Sequence, residues 1–204
     1  MAFALVIGAV ACAEADAGRQ ALQLERTIPL SGVRGRINHM ALDPSSERLA
    51  VAELENGNVD IIDLARGVVT HRISGLSEPQ GIEFDAAGHI IAIATGGDGA
   101  LHLVSAITFS DIATIHLGDD ADDVRIDPRN GHAIVGYGAG ALAIIDLASH
   151  AVVERISLPA HPESFQIDPQ SGRAFVNLPD RRTIGVADLD HATLTDTWRL
   201  PFLL

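Results

Sequence analysis

Ile37-Asn38-His39-Met40-Ala41-Leu42-Asp43-Pro44 returns in altered form three times along the chain. The copies are Gln80-Gly81-Ile82-Glu83-Phe84-Asp85, Asp122-Asp123-Val124-Arg125-Ile126-Asp127-Pro128 and Glu163-Ser164-Phe165-Gln166-Ile167-Asp168-Pro169. Their anchor aspartates, Asp43, Asp85, Asp127 and Asp168, are spaced by 42, 42 and 41 residues. A second set of landmarks, Asp63, Ser105, Asp146 and Asp188, is spaced by 42, 41 and 42. Two landmarks keeping one period identify a tandem repeat of a structural unit too small to bury its own core.

Each unit reads as four short strands. The first alternates towards its anchor, as in Val124 and Ile126 or Phe165 and Ile167. A turn such as Asp127-Pro128-Arg129-Asn130-Gly131 follows. The second strand is almost wholly apolar (49–52, 89–94, 133–136, 174–177), as expected of a sheet covered on both faces. A polar or glycine-rich hairpin leads to a third strand ending at the second landmark (59–63, 142–146, 184–188). The fourth is more polar (68–73, 112–117, 152–158), which suits an outer edge. Four-stranded units repeated radially predict an all-β propeller of four blades, at roughly 37–76, 79–117, 121–158 and 162–200, within a domain over 18–204. Residues 22–28 read as an additional outer strand ahead of the first blade, and 197–200 as the last blade's own outer strand. That is one strand too many for a closed four-bladed ring. The expectation is part of a seven-bladed wheel, lacking about three blades through truncation, a split gene or a shortened gene model; the alternative is a four-bladed ring with a spare strand. An exposed blade edge would favour oligomers.

The units resemble the YVTN-repeat, YncE-like propellers of bacteria, through Ala174-Phe175-Val176-Asn177 in the second strand and Val59-Asp60-Ile61-Ile62-Asp63 and Ala143-Ile144-Ile145-Asp146 in the third. The resemblance covers about residues 22–200 and implies an exported, often seven-bladed protein. It is imperfect: the second blade carries Ser105 in place of an aspartate, and its second strand runs into Thr95-Gly96-Gly97.

Composition narrows the functions. The 204-residue chain is 47% apolar but only 4% aromatic, so the core must be aliphatic. Its formal charge of −13 repels phosphate backbones and argues against a nucleic-acid partner. Lysine is absent, which excludes Schiff-base catalysis and a P-loop. Cys12 stands alone, so there is no intramolecular disulfide, and no Cys-x-x-Cys-His haem site occurs. The small apolar run 2–13, followed by Ala13-Glu14-Ala15 and Ala15-Asp16-Ala17, predicts a cleaved signal peptide over 1–17 and a periplasmic or secreted protein. It is too short to span a bilayer. Alternatives are a lipoprotein anchored at Cys12 and an uncleaved start.

The entry of each first strand is polar: Asn38, Gln80, Asp122 and Glu163, followed by His39, Gly81, Asp123 and Ser164. First strands line the central channel of a propeller, so these residues should ring its mouth, with Asp119, Asp120, His161, Glu55, Asp98, Tyr137, Asp180, Arg181 and Arg182 nearby. The candidate ligand-binding set is Asn38, His39, Gln80, Asp122, Asp123 and Glu163. Within it Asp122, Asp123, Glu163 and His39 are candidate ligands for a divalent metal such as Ca²⁺. The competing account is that strand-entry residues are polar because they meet water and cap free backbone groups. The leading expectation is a binding or interaction scaffold with no catalytic residues, for an unknown small ligand or protein. Alternatives are a metal-dependent, lactonase-like hydrolase using the mouth carboxylates and an inert remnant.

Overall fold

The computed structural model describes residues 23–43, 46–85 and 89–201. The expected signal peptide and Cys12 lie outside them. Sixteen strands form four separate four-stranded antiparallel sheets, each in simple sequence order. Blade 1 holds β1 (Ile37–Asp43), β2 (Arg48–Glu53), β3 (Asn58–Asp63) and β4 (Val68–Ser74). Blade 2 holds β5 (Pro79–Asp85), β6 (Ile90–Thr95), β7 (Ala100–Ser105) and β8 (Asp111–His116). Blade 3 holds β9 (Ala121–Ile126), β10 (Ala133–Tyr137), β11 (Ala141–Asp146) and β12 (Ala151–Ser157). Blade 4 holds β13 (Ser164–Asp168), β14 (Arg173–Leu178), β15 (Thr183–Asp188) and β16 (Thr193–Arg199). The first strands β1, β5, β9 and β13 are successive neighbours and make the hub. This is a β-propeller architecture. Residues 23–28 join no sheet, so the expected leading strand is absent there. His89, expected in a strand, sits in a turn with φ of 56°.

The sheets are held face to face by aliphatic side chains. Ala50, Ala52, Val59 and Ile61 of blade 1 pack on Ile82, Ile91, Ile93 and Val104 of blade 2. Ala92, Ala94, Leu101 and Leu103 of blade 2 pack on Val124, Ala133, Val135 and Ile145 of blade 3. Ile134, Leu142, Ile144 and Ile156 of blade 3 pack on Phe165, Ala174, Val176 and Ala187 of blade 4. Alternate residues of each inner strand therefore serve two different cores, which is why the second strands read as unbroken apolar runs.

The landmark residues close turns. Asp63, Asp146 and Asp168 accept the backbone N–H groups of Arg66, Ala148 and Gln170 at 2.8, 2.8 and 3.0 Å. Asp188 accepts those of Asp190 and His191. Ser105 does the same for Ile107 and Thr108 through its hydroxyl, which explains how a serine replaces the aspartate in blade 2. These bonds favour the ionised carboxylate and lower the pKa values of Asp146, Asp168 and Asp188.

Candidate functional site

The channel mouth is built by the four strand entries. A cavity of about 290 Å³ is lined by Asn38, His39, Gln80, Asp122 and Glu163, with Arg36, Ser164 and Asn177. Five of the six candidates thus converge. A hydrogen-bond relay runs round the rim: Asn38 Nδ2 donates to Gln80 Oε1 at 2.9 Å, and Gln80 Nε2 donates to Asp120 Oδ1 at 3.2 Å.

Asp123, the sixth, is turned into the protein and fully buried. Its carboxylate accepts from the Val124 N–H (2.9 Å), the Arg125 guanidinium (2.7 Å) and the Phe165 N–H (3.2 Å). His39 Nε2 lies 3.9 Å from the same carboxylate. Burial raises the Asp123 pKa, while Arg125, His39 and the two N–H groups oppose the shift. These contacts make Asp123 a clamp between blades 3 and 4. His39 keeps a buried Nδ1 with no hydrogen-bond partner.

Asp122 differs. It is 6% exposed, yet no backbone N–H or amide among the described residues donates to it; His161 Nε2 lies 3.6 Å from its Oδ2. Burial, together with repulsion from Glu163, pushes its pKa up to about 7, against the opposing pull of His161. His161 Nδ1 meets the carbonyl of Gly138 at 2.6 Å, and Nε2 is 3.8 Å from Asp120. Burial disfavours the imidazolium, but the Gly138 bond and the charges of Asp120, Asp122 and Glu163 outweigh it and raise the His161 pKa. Asp122 therefore titrates near neutrality, and His161 holds its proton to higher pH than a free imidazole.

Gly81 is the position that lets the strands come this close. A Cβ there would lie 2.5 Å from the Asp122 carbonyl oxygen and 2.8 Å from Val124 N.

Among the described residues, no three His, Cys, Asp or Glu side chains are grouped to hold a metal ion. With Asp123 occupied by three donors, a divalent ion at the mouth would rest on Asp122 and Glu163, helped by the Asn38 and Gln80 amide oxygens. A larger cavity, about 530 Å³, opens beside Arg181, Arg182 and Arg199 at the edge of blade 4, away from the mouth residues.

Two contributors were not singled out from the sequence. Arg36 belongs to a column two residues before each strand entry, Arg36, Glu78, Asp120 and His161, in which every member is ionisable. Asn177 is the polar outlier where the other repeats have Ala52, Ala94 and Gly136. Both signals were present in the repeat alignment.

No family model matches the chain, and no curated protein matches it. Among solved structures it is similar to hydrazine synthase of Kuenenia stuttgartiensis, with a TM-score of 0.76 and 16% identity. The match covers 87% of this chain and 53% of that one, so the chain spans about half the length of the structure it resembles. At this identity the likeness is one of fold. No helix among the described residues is long and apolar enough to cross a membrane.

Proposed function

We propose that the chain is a ligand-binding scaffold whose binding surface is the channel mouth. The observation that carries this reading is Asp122: a largely buried carboxylate that lines the polar cavity and, among the described residues, takes no hydrogen bond from the protein. Leaving such a group without donors costs about 1–3 kcal/mol, more when it is ionised, and a bound donor recovers that cost. The chemistry favours a small cation, either an ammonium group or a divalent ion, oriented by the amides of Asn38, Gln80 and Asn177. Glu163 adds negative charge at the rim, and Arg36 gives a second, anion-accepting end.

A hydrolytic reading of the same mouth is favoured by one feature. A carboxyl group titrating near pH 7 suits a general base. Such an enzyme would need Asp122 for proton transfer, leaving Glu163 and neutral amides to hold a metal.

Membership of the YVTN-repeat family and export to the periplasm or beyond belong to the same proposal. They rest on the repeat motifs and on the small apolar N-terminal run.

The test is thermal unfolding of the purified protein with calcium chloride and, separately, with a short diamine. Binding to the folded state alone must raise Tm with probe concentration. The rise should vanish in Asp122→Asn. If neither probe shifts Tm at pH 8, where Asp122 is ionised, the cation-binding mouth is wrong. Cell fractionation and the mass of the mature N-terminus check export separately.

A further inference from the structure

The two end blades each leave bare a face that every internal boundary buries. The repeat makes the comparison residue by residue. Trp198 occupies the position of Ile73, Ile115 and Ile156. Those three are 7, 8 and 1% exposed against the following blade; Trp198 is 49% exposed. Phe175, which stands where Ala50, Ala92 and Ile134 stand, packs against Trp198 with ring centroids 5.4 Å apart and the rings tilted by 41°. With Ile184 they line an open groove of about 360 Å³. At the other end Met40 occupies the position of Ile82, Val124 and Phe165. Those are 1, 0 and 2% exposed against the preceding blade, and Met40 is 61% exposed. Leu42, which matches Phe84, Ile126 and Ile167, is also bare. Residues 23–30 run past the rim of blade 1, where Arg26 donates to the Leu64 and Ala65 carbonyls. Glu25 and Arg26 share a shallow cavity with Leu42, which stays 53% exposed beside the barer Met40.

We infer that a second copy of this chain docks head to tail, its Met40 and Leu42 face covering the Phe175, Ile184 and Trp198 face of the first. The occupant follows from continuity with the three boundaries inside the chain. Each joins the trailing face of one blade to the leading face of the next, and none joins like to like. The leading face left bare among the described residues is that of blade 1. Two such contacts related by a twofold axis close a pair, as a heterologous interface closes a ring when the rotation allows it. The pair brings a second set of strand entries to the channel, so that Glu163 and Ser164 of one copy approach Asn38 and His39 of the other. The mouth cavity is then enclosed from both sides.

Sedimentation velocity of the full chain across a concentration series tests this. The wild type should form a dimer. Trp198→Glu and Met40→Glu should each give monomers with unchanged far-ultraviolet circular dichroism, since both side chains are at the surface. Mixing the two variants should recover part of the dimer, because each keeps the face that the other has lost. A wild type monomeric up to its solubility limit overturns the inference. So does a dimer indifferent to Met40→Glu, which would mean pairing of blade 4 with itself. Should a glutamate variant fail to fold, Trp198→Ser and Met40→Ser read the same contrast, and a dimer surviving both overturns it too. Asp122→Asn should leave the dimer intact, which separates this interface from the reading of the mouth.

Discussion

The buried carboxylate of Asp123 accepts the backbone N–H of Phe165 at 3.2 Å, tying β9 of blade 3 to β13 of blade 4. Asn38 and Gln80 likewise tie β1 to β5, through a side-chain hydrogen bond at the solvent-facing rim. Removing the Asp123 carboxylate strands a buried N–H and the Arg125 guanidinium together. Asp123→Ala should cost about 3 kcal/mol in urea unfolding. Asp123→Asn, which retains one acceptor oxygen, should cost less. Equal stability of Asp123→Ala and wild type would remove the clamp.

Gly81→Ala tests how closely β5 and β9 must approach. The added methyl would press on backbone atoms of Asp122, Asp123 and Val124, none of which can rotate away. Overpacking of this kind costs about 1–3 kcal/mol. The variant should also widen the mouth and weaken any cation effect on Tm. An unchanged melting curve would show that the two strands can separate freely.

Stability should decline as pH rises from about 4 to about 7. The folded pKa of Asp122, about 7, exceeds the ordinary aspartate value of 3.8, so between the two the folded state holds a proton that the unfolded chain has released. That contribution is complete below about pH 3.8 and is lost as pH rises through 7. His161 is also raised when folded; its stabilisation is complete below its unfolded pKa and is lost as pH rises through the folded one. Asp122→Asn should therefore gain stability at pH 8 and little at pH 4. Allowing for partial solvent access, the gain should be about 2 kcal/mol. A pH-independent difference between variant and wild type would refute the assignment.

Glu53 is fully buried at the end of β2, and neither carboxylate oxygen has a hydrogen-bond partner. Burial, and then the neighbouring Asp60, raises its pKa. The nearest cation, Arg72, is 3.7 Å away and makes its close pair with Asp60 at 2.6 Å. Blade 4 places Leu178 at the equivalent position. Glu53→Leu should stabilise the fold by about 1–2 kcal/mol, measured by thermal unfolding at neutral pH. A loss of stability would indicate that Arg72 needs both carboxylates.

The blades were legible because two landmarks repeat and because each landmark has a local job, closing a turn within its own sheet. Strand limits fell within a residue or two for the same reason, except in β16, which begins at Thr193, four residues before the expected 197. The mouth was legible as a ring of polar entry positions, since first strands occupy the hub. What could not be read was the direction in which adjacent ring members point. Asp122 and Asp123 together oppose the single residue Gly136 in a β-bulge of β9, so a simple alternation along the strand does not say which of them faces the cavity. Which is which is set by the bulge, and Gly81 only leaves room for the β9 backbone at that point. The Phe165 N–H that occupies Asp123 lies 42 residues further on, beyond the reach of any local pattern.

The four sheets share cores only with their immediate neighbours, so loosening need not be simultaneous. A row of units coupled pairwise melts from whichever end has the fewest partners. Amide hydrogen exchange of the undimerised chain should run as a gradient, slowest in β6, β7, β10 and β11 and fastest in β14 and β15. Cooperativity would then be a property of how many neighbours a blade has, and not of the blade itself.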